Sequence, residues 1–158
     1  MPKPAVVRVV DDPGLIDAPS WNALVDLGAS ATPFMRHECL LALHESGSAV
    51  ERTGWAPRFL EIRQGPTLVA ACPLYLKSHS QGEYVFDHGW AEAYMRAGGR
   101  YYPKLQCAVP FTPVPGPRLL VGAGADAAAN EATLARAAIE LARRAQLSSV
   151  HVTFLEAE

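Results

Sequence analysis

The sequence is short of charge and of cysteine, and it has no long apolar run. Asp, Glu, Lys and Arg make up 19% of its 158 residues, with a formal net charge of -2. No global field of either sign steers such a chain to nucleic acid. The three cysteines, Cys39, Cys72 and Cys107, are odd in number, far apart and set in apolar stretches. That argues against a disulfide framework and a paired zinc knuckle, and it fits a reducing compartment. No stretch approaches the ~18–20 apolar residues of a membrane span. The first residues lack the apolar centre of a secretory leader. The expectation is a cytoplasmic chain with no membrane span. No Gly-x-Ser-x-Gly elbow supports a serine hydrolase. His37-Glu38 invites a metalloprotease reading, but Leu41 stands where the second His belongs. His37 and His44 would lie about 10 Å apart along a helix, too far for one ion. No metal is expected. Repeats and low-complexity linkers are also missing, so residues 1–158 read as one unit.

What is present is apolar: hydrophobic residues reach 49%. A chain of this size buries about 70% of its unfolded surface. Residues 5–10 read as a strand ended by Asp11-Asp12-Pro13-Gly14. A short helix is expected over 19–27, stopped by Gly28. A second runs from an N-cap at Thr32, with Pro33 at its first position, to Gly47. Residues 58–63 alternate as a half-buried strand. Residues 68–76 are almost wholly apolar, as in a central strand covered on both faces. The two make an antiparallel hairpin, with a bulge or strand exit at Pro73. Further strands are expected at 84–87, 103–111 and 118–121, and a short helix at 90–97 before Gly98-Gly99. Residues 126–146 form the clearest helix, with Leu134, Ala138, Leu141 and Ala145 on one face. A last strand begins after Ser149. Helices mixed with hairpins predict an α+β (mixed α/β) fold with a mostly antiparallel central sheet flanked by helices.

Two stretches hold candidate chemistry. Residues 78–104 cluster polar and aromatic side chains on loops, where recognition tends to sit. The candidate substrate-binding residues are Lys77, His79, Glu83, Asp87, Trp90, Tyr94, Tyr101, Tyr102 and Lys104. Ring faces suit sugars, and the lysines suit a carboxylate or phosphate. His79 or Asp87 is a candidate general base for an amine. The alternative is structural: the aromatics pack the lobe and Asp87 caps the following helix. The second stretch is Val121-Gly122-Ala123-Gly124-Ala125-Asp126, where Gly122 and Gly124 could open a phosphate loop onto the long helix. It carries no basic residue, and Asp126 would repel a phosphate. Arg136, Arg143 and Arg144 are offset by Glu131 and Glu140, so that helix side reads as solvated and no DNA partner is expected.

A family resemblance rests on long motifs. They are His79-Ser80-Gln81-Gly82-Glu83-Tyr84-Val85-Phe86-Asp87, Trp90-Ala91, Tyr94 and Tyr101-Tyr102-Pro103-Lys104-Leu105. Val109-Pro110-Phe111-Thr112-Pro113-Val114-Pro115-Gly116-Pro117-Arg118-Leu119-Leu120 and Ser148-Ser149-Val150-His151-Val152-Thr153-Phe154-Leu155 complete them. Together they resemble the FemAB-like family, often named for peptidoglycan biosynthesis or recognition, over residues 21–155. The resemblance implies the N-terminal GNAT-like lobe of a two-lobe N-acyltransferase of the GNAT superfamily. Such chains are more than twice this long, so it implies a lobe incomplete without a C-terminal partner lobe. It implies transfer of an acetyl or aminoacyl group to an amine, from acyl-CoA or aminoacyl-tRNA, with no tightly bound cofactor. The acceptor would be a small molecule or cell-wall precursor. A homo-oligomer through an exposed final strand is a further expectation. The alternative is a non-catalytic recognition domain for a cell-wall or polar small molecule.

Overall fold

A computed structural model describes residues 5–156, apart from 29, 85, 86 and 125. Among the described residues, eight strands and four α-helices follow one another. They are β1 (Ala5–Val10), α1 (Ala18–Asp26), α2 (His37–Glu45), β2 (Trp55–Pro57), β3 (Phe59–Gln64) and β4 (Thr67–Cys72). Then come β5 (Leu74–Lys77), α3 (His88–Arg96), β6 (Lys104–Cys107), β7 (Leu120–Val121), α4 (Ala127–Arg144) and β8 (Val150–Val152). This is the expected α+β class.

The strands form two sheets of four, β1-β3-β4-β7 and β2-β5-β6-β8. The first is antiparallel throughout. In the second only β6 and β8 run parallel. The apolar run at 68–76 is divided between the sheets at Pro73, which has no N–H to give to a ladder. Across from it, the Arg58 N–H donates to Leu74 O at 2.7 Å, so the hairpin passes from one sheet to the other. The strand exit expected at Pro73 is therefore present.

Each sheet region is covered by helices. Trp21, Leu24, Met35 and Leu40 pack against Val10, Trp55, Phe59 and Tyr75. Leu134, Ala138 and Ala142 of α4 pack against Ile62, Ala70, Leu74 and Leu105. The small residues of α4 let its backbone lie close to the strands. Its buried face is Asn130, Leu134, Ala138 and Ala142, while Ala145 is exposed.

Several expected boundaries move. Residues 33–45 are a 3-10 turn at Pro33–Met35 followed by α2, because Arg36 between them is extended (φ -66°, ψ 146°). Thr32 caps the turn through the Phe34 N–H. The helix proper begins with the His37 N–H bonded to the Asn22 side chain at 2.9 Å. The strand β2 is not foreshadowed in the sequence. The strand expected at 84–87 includes Val85 and Phe86, outside the described residues; Tyr84 and Asp87 are not in a strand. The strands expected over 103–111 and 118–121 shorten to Lys104–Cys107 and Leu120–Val121. The final strand β8 is three residues long, bonded to β6 and at the end of its sheet.

Candidate functional site

Strands β5 and β6 pair so that Lys77 faces Lys104. Two like charges in register repel, and neither lysine has measurable exposure. The loop after β5 resolves the conflict by folding two acids over them. Lys104 Nζ lies 2.7 Å from Asp87 Oδ2 and 3.1 Å from Glu83 Oε2, with His151 Nδ1 at 3.4 Å. Its three ammonium protons thus have three acceptors. Lys77 Nζ donates to His79 O at 2.6 Å and Gln81 O at 2.7 Å, and sits 4.4 Å from the Trp55 ring centroid. Glu83 Oε1 is 4.0 Å from Lys77 Nζ. The two lysines are therefore ligands of the chain's own carboxylates and carbonyls, not open attractors for an external anion.

Asp87 is the hub. Tyr101 and Tyr102 donate to it at 2.8 and 3.1 Å, and the Ser80 and Tyr102 hydroxyls are 2.8 Å apart. Burial opposes its charge, but hydrogen bonds from Lys104 and Tyr101 outweigh that and hold its pKa at about 2. Burial and the Asp87 charge raise both tyrosines. Burial raises Glu83 against the pull of Lys104. Burial lowers Lys77 to about 8, with Glu83 opposing and Lys104 reinforcing the shift. A carboxylate held this low is a weak base at neutral pH. Asp87 also precedes α3 without making a side-chain cap bond, so neither base nor cap describes its contacts.

Asp87 lines a groove of about 560 Å³ together with Trp90, Tyr94, Tyr101 and His151. Trp90 is 78% exposed and Tyr94 53%. Both project from α3, which ends at Gly98 in a left-handed conformation (φ 83°). Tyr101 stands edge-on to Tyr94, Tyr102 and His151, with centroids 5.0 to 6.3 Å apart. Burial, and then the Lys104 charge, lower the His151 pKa. Because Lys104 donates to Nδ1, the neutral ring carries its proton on Nε2.

The structure brings together Lys77, Glu83, Asp87, Trp90, Tyr94, Tyr101, Tyr102 and Lys104 of the expected residues. His79 joins them only through its carbonyl, which accepts from Lys77, and it also lines a second groove with Arg52 and Gln81. Its ring lies against Gly54, where a Cβ would come within 2.3 Å of Nε2. His151, Ser80 and Trp55 were not foreseen. His151 and Ser80 did stand in the family motifs, and His151 also fell in an alternating strand. Trp55 gave no signal.

In the glycine loop one of the expected N–H groups is already used. The Gly122 N–H donates to Val69 O at 2.9 Å and is spent on the sheet. Gly124 has φ 125°, Ala125 lies outside the described residues, and Asp126 stands exposed before α4. His37 is also structural: it is buried, with Nε2 2.8 Å from Pro13 O.

A model of the FemAB-like family, described as peptidoglycan biosynthesis/recognition, matches residues 14–158. This chain belongs to the FemAB-like family. The match spans every residue of the Lys77–Lys104 cluster and the α3 groove. No curated protein and no solved structure matches significantly. Among the described residues, no helix of this FemAB-like chain is long and apolar enough to cross a membrane.

Proposed function

We propose that this FemAB-like chain binds a peptidoglycan-type precursor in the α3 groove and presents an amine of that precursor for acyl or aminoacyl transfer. The carrying observation is the exposed aromatic wall of Trp90 and Tyr94 above a rigid charged floor. Ring faces of that kind stack on the apolar faces of sugars, and polar groups at the base fix orientation. The Lys104 cluster positions the floor: it locks Asp87, Tyr101 and His151 before a ligand arrives. The His151 Nε2–H is a donor for a ligand carbonyl or hydroxyl. Asp87 is a positioning residue in this reading, since a carboxylate whose pKa is held at about 2 accepts an amine proton poorly at neutral pH. Acyl-CoA and aminoacyl-tRNA are the donor classes to test.

One observation favours recognition without catalysis. The glycine loop before α4 carries an acid and no base, which suits a phosphate poorly. Calorimetry of the chain with a muropeptide tests the shared element of both readings. Micromolar binding is expected, weakened about tenfold by Trp90→Ala, which loses one stacking surface worth about 1.4 kcal/mol. The thermal midpoint should not move, because Trp90 is exposed. No muropeptide binding would sink the proposal. Incubation with both donors and the muropeptide, read by mass spectrometry, then separates transfer from recognition alone.

A further inference from the structure

The α3 groove selects its ligand by shape and by charge. Trp90, Ala93, Tyr94 and Ala97 line it from α3. Spaced three and four residues apart, they share one face of the helix. The two alanines leave room beside the two rings. Tyr101 and His151 line the groove as well. These rings do not lie parallel. Tyr94 and Tyr101 meet at 70° with centroids 6.3 Å apart, and Tyr101 and His151 at 87° with centroids 5.9 Å apart. Rings set near right angles make a corner. A flat ligand stacks on one wall of a corner, whereas a rounded group touches several.

Charge points the same way. Among the described residues, Asp87 is the one charged side chain that lines the groove. Its cation, Lys104, has no measurable exposure and does not line it. Lys104 and Lys77 are balanced by Asp87 and Glu83. The cluster thus adds no net charge, and the member that reaches the groove is an acid. His151 adds no repulsion at neutral pH, because burial lowers its pKa. His88, Glu92 and Arg96 of α3 do not line the groove.

An anion in this groove meets a carboxylate and no cation. A cation meets the carboxylate and the negative faces of aromatic rings. The chain uses the same attraction in the adjoining cluster, where Lys104 Nζ sits 5.0 Å from the Tyr101 ring centroid and 5.2 Å from that of Tyr102. A hard metal ion needs several oxygen ligands, and those of Asp87 are already shared with Lys104, Tyr101 and Tyr102. An alkylammonium group needs none, since ring faces meet its rounded charge directly.

We propose that the Trp90–Tyr94–Tyr101 corner binds an alkylammonium cation, with Asp87 as its nearest counter-charge. This deepens the muropeptide reading and rests on it for the natural ligand, whose amine enters the groove as its ammonium form. The corner itself needs neither sugar nor peptide, so small probes test it alone.

The test titrates the full chain at neutral pH with choline and with 3,3-dimethyl-1-butanol, which has the same shape and hydroxyl but no charge. Choline should bind about tenfold tighter, the worth of cation–π contact with two or three partly exposed rings. Its binding should shift the Trp90 and Tyr94 ring signals in the NMR spectrum, and n-butylammonium should displace it. Trp90→Leu with Tyr94→Leu keeps apolar bulk at two exposed positions and removes two rings, so most of choline's advantage should vanish. If that variant does not fold, the native chain's preference and ring shifts decide alone. No choline binding, equal affinity for the two probes, an advantage that survives in the folded double variant, or failure of n-butylammonium to compete overturns the proposal. Muropeptide binding without choline binding overturns this proposal alone. Choline binding without muropeptide binding upholds the cation corner and removes the peptidoglycan reading.

Discussion

Replacing Lys104 with Met should lower the free energy of unfolding by about 3–5 kcal/mol, the usual cost of stranding a buried charge. Methionine fills the same volume, so packing changes little. What changes is charge: Asp87 and Glu83 lose their shared cation, and the nearest remaining one is Lys77, 4.0 Å from Glu83. Urea midpoints check this directly. Adding Asp87→Asn to Lys104→Met should recover most of the loss, because Glu83 is then left with Lys77 and no carboxylate is in excess. A single variant as stable as the parent would mean the cluster does not hold the fold. A surface control is available in Glu140, which pairs with Arg143 and Arg144 on exposed α4. Exposed pairs are screened by water, so Glu140→Gln should leave the midpoint unchanged.

The second large effect is the pH dependence of stability. The folded pKa of Asp87 is about 2, below the ~3.9 of an unfolded Asp. A depressed acid adds stability above its unfolded pKa and loses it as pH falls through the folded one. The Asp87 contribution is therefore full above about pH 4 and fades toward about pH 2. Asp87→Asn should be less stable than the parent by roughly 3 kcal/mol at neutral pH, since Lys104 then loses a charged partner. The gap should close across that acid window. Other acids also titrate there, so the difference between the two proteins is the measurement, not either curve alone. Glu83, raised by burial, titrates with the opposite sign in both.

The alkaline side behaves differently. Lys77 has a folded pKa of about 8, against ~10.4 unfolded. Its charged form is disfavoured in the fold, so stability should rise between about pH 8 and pH 10. Lys77→Met should abolish that rise. Above about pH 10 stability should fall, because unfolded tyrosines ionise while Tyr101 and Tyr102 are held protonated. A gap between parent and Asp87→Asn that stays constant from neutral to acid pH would refute the assignment of the acid limb.

How much of this was legible depended on the range of the interaction involved. The α4 helix was legible because its apolar period is local. So was the exit at Pro73, since a missing N–H is a property of the residue itself. The break between Pro33–Met35 and α2 was not. Thr32 and Pro33 are good start signals, but the cap that opens α2 is the side chain of Asn22, on another helix. The strand β2 escaped notice because three residues are too few to show alternation.

The same division runs through the candidate site. Composition and family motifs placed the polar and aromatic cluster between Lys77 and Lys104, and most of its members do meet. The sequence by itself determined the residue inventory, the α+β class and the FemAB-like membership. Tertiary structure decided the roles. Register put Lys77 opposite Lys104, and burial made their charges costly. The chain after β5 then had to bring Glu83 and Asp87 onto them, which turned two expected anion attractors into parts of a locked floor. His151 and Trp55 joined because strands distant in sequence lie side by side. Pairing register and burial depend on contacts between distant segments, and no local pattern of residues encodes them.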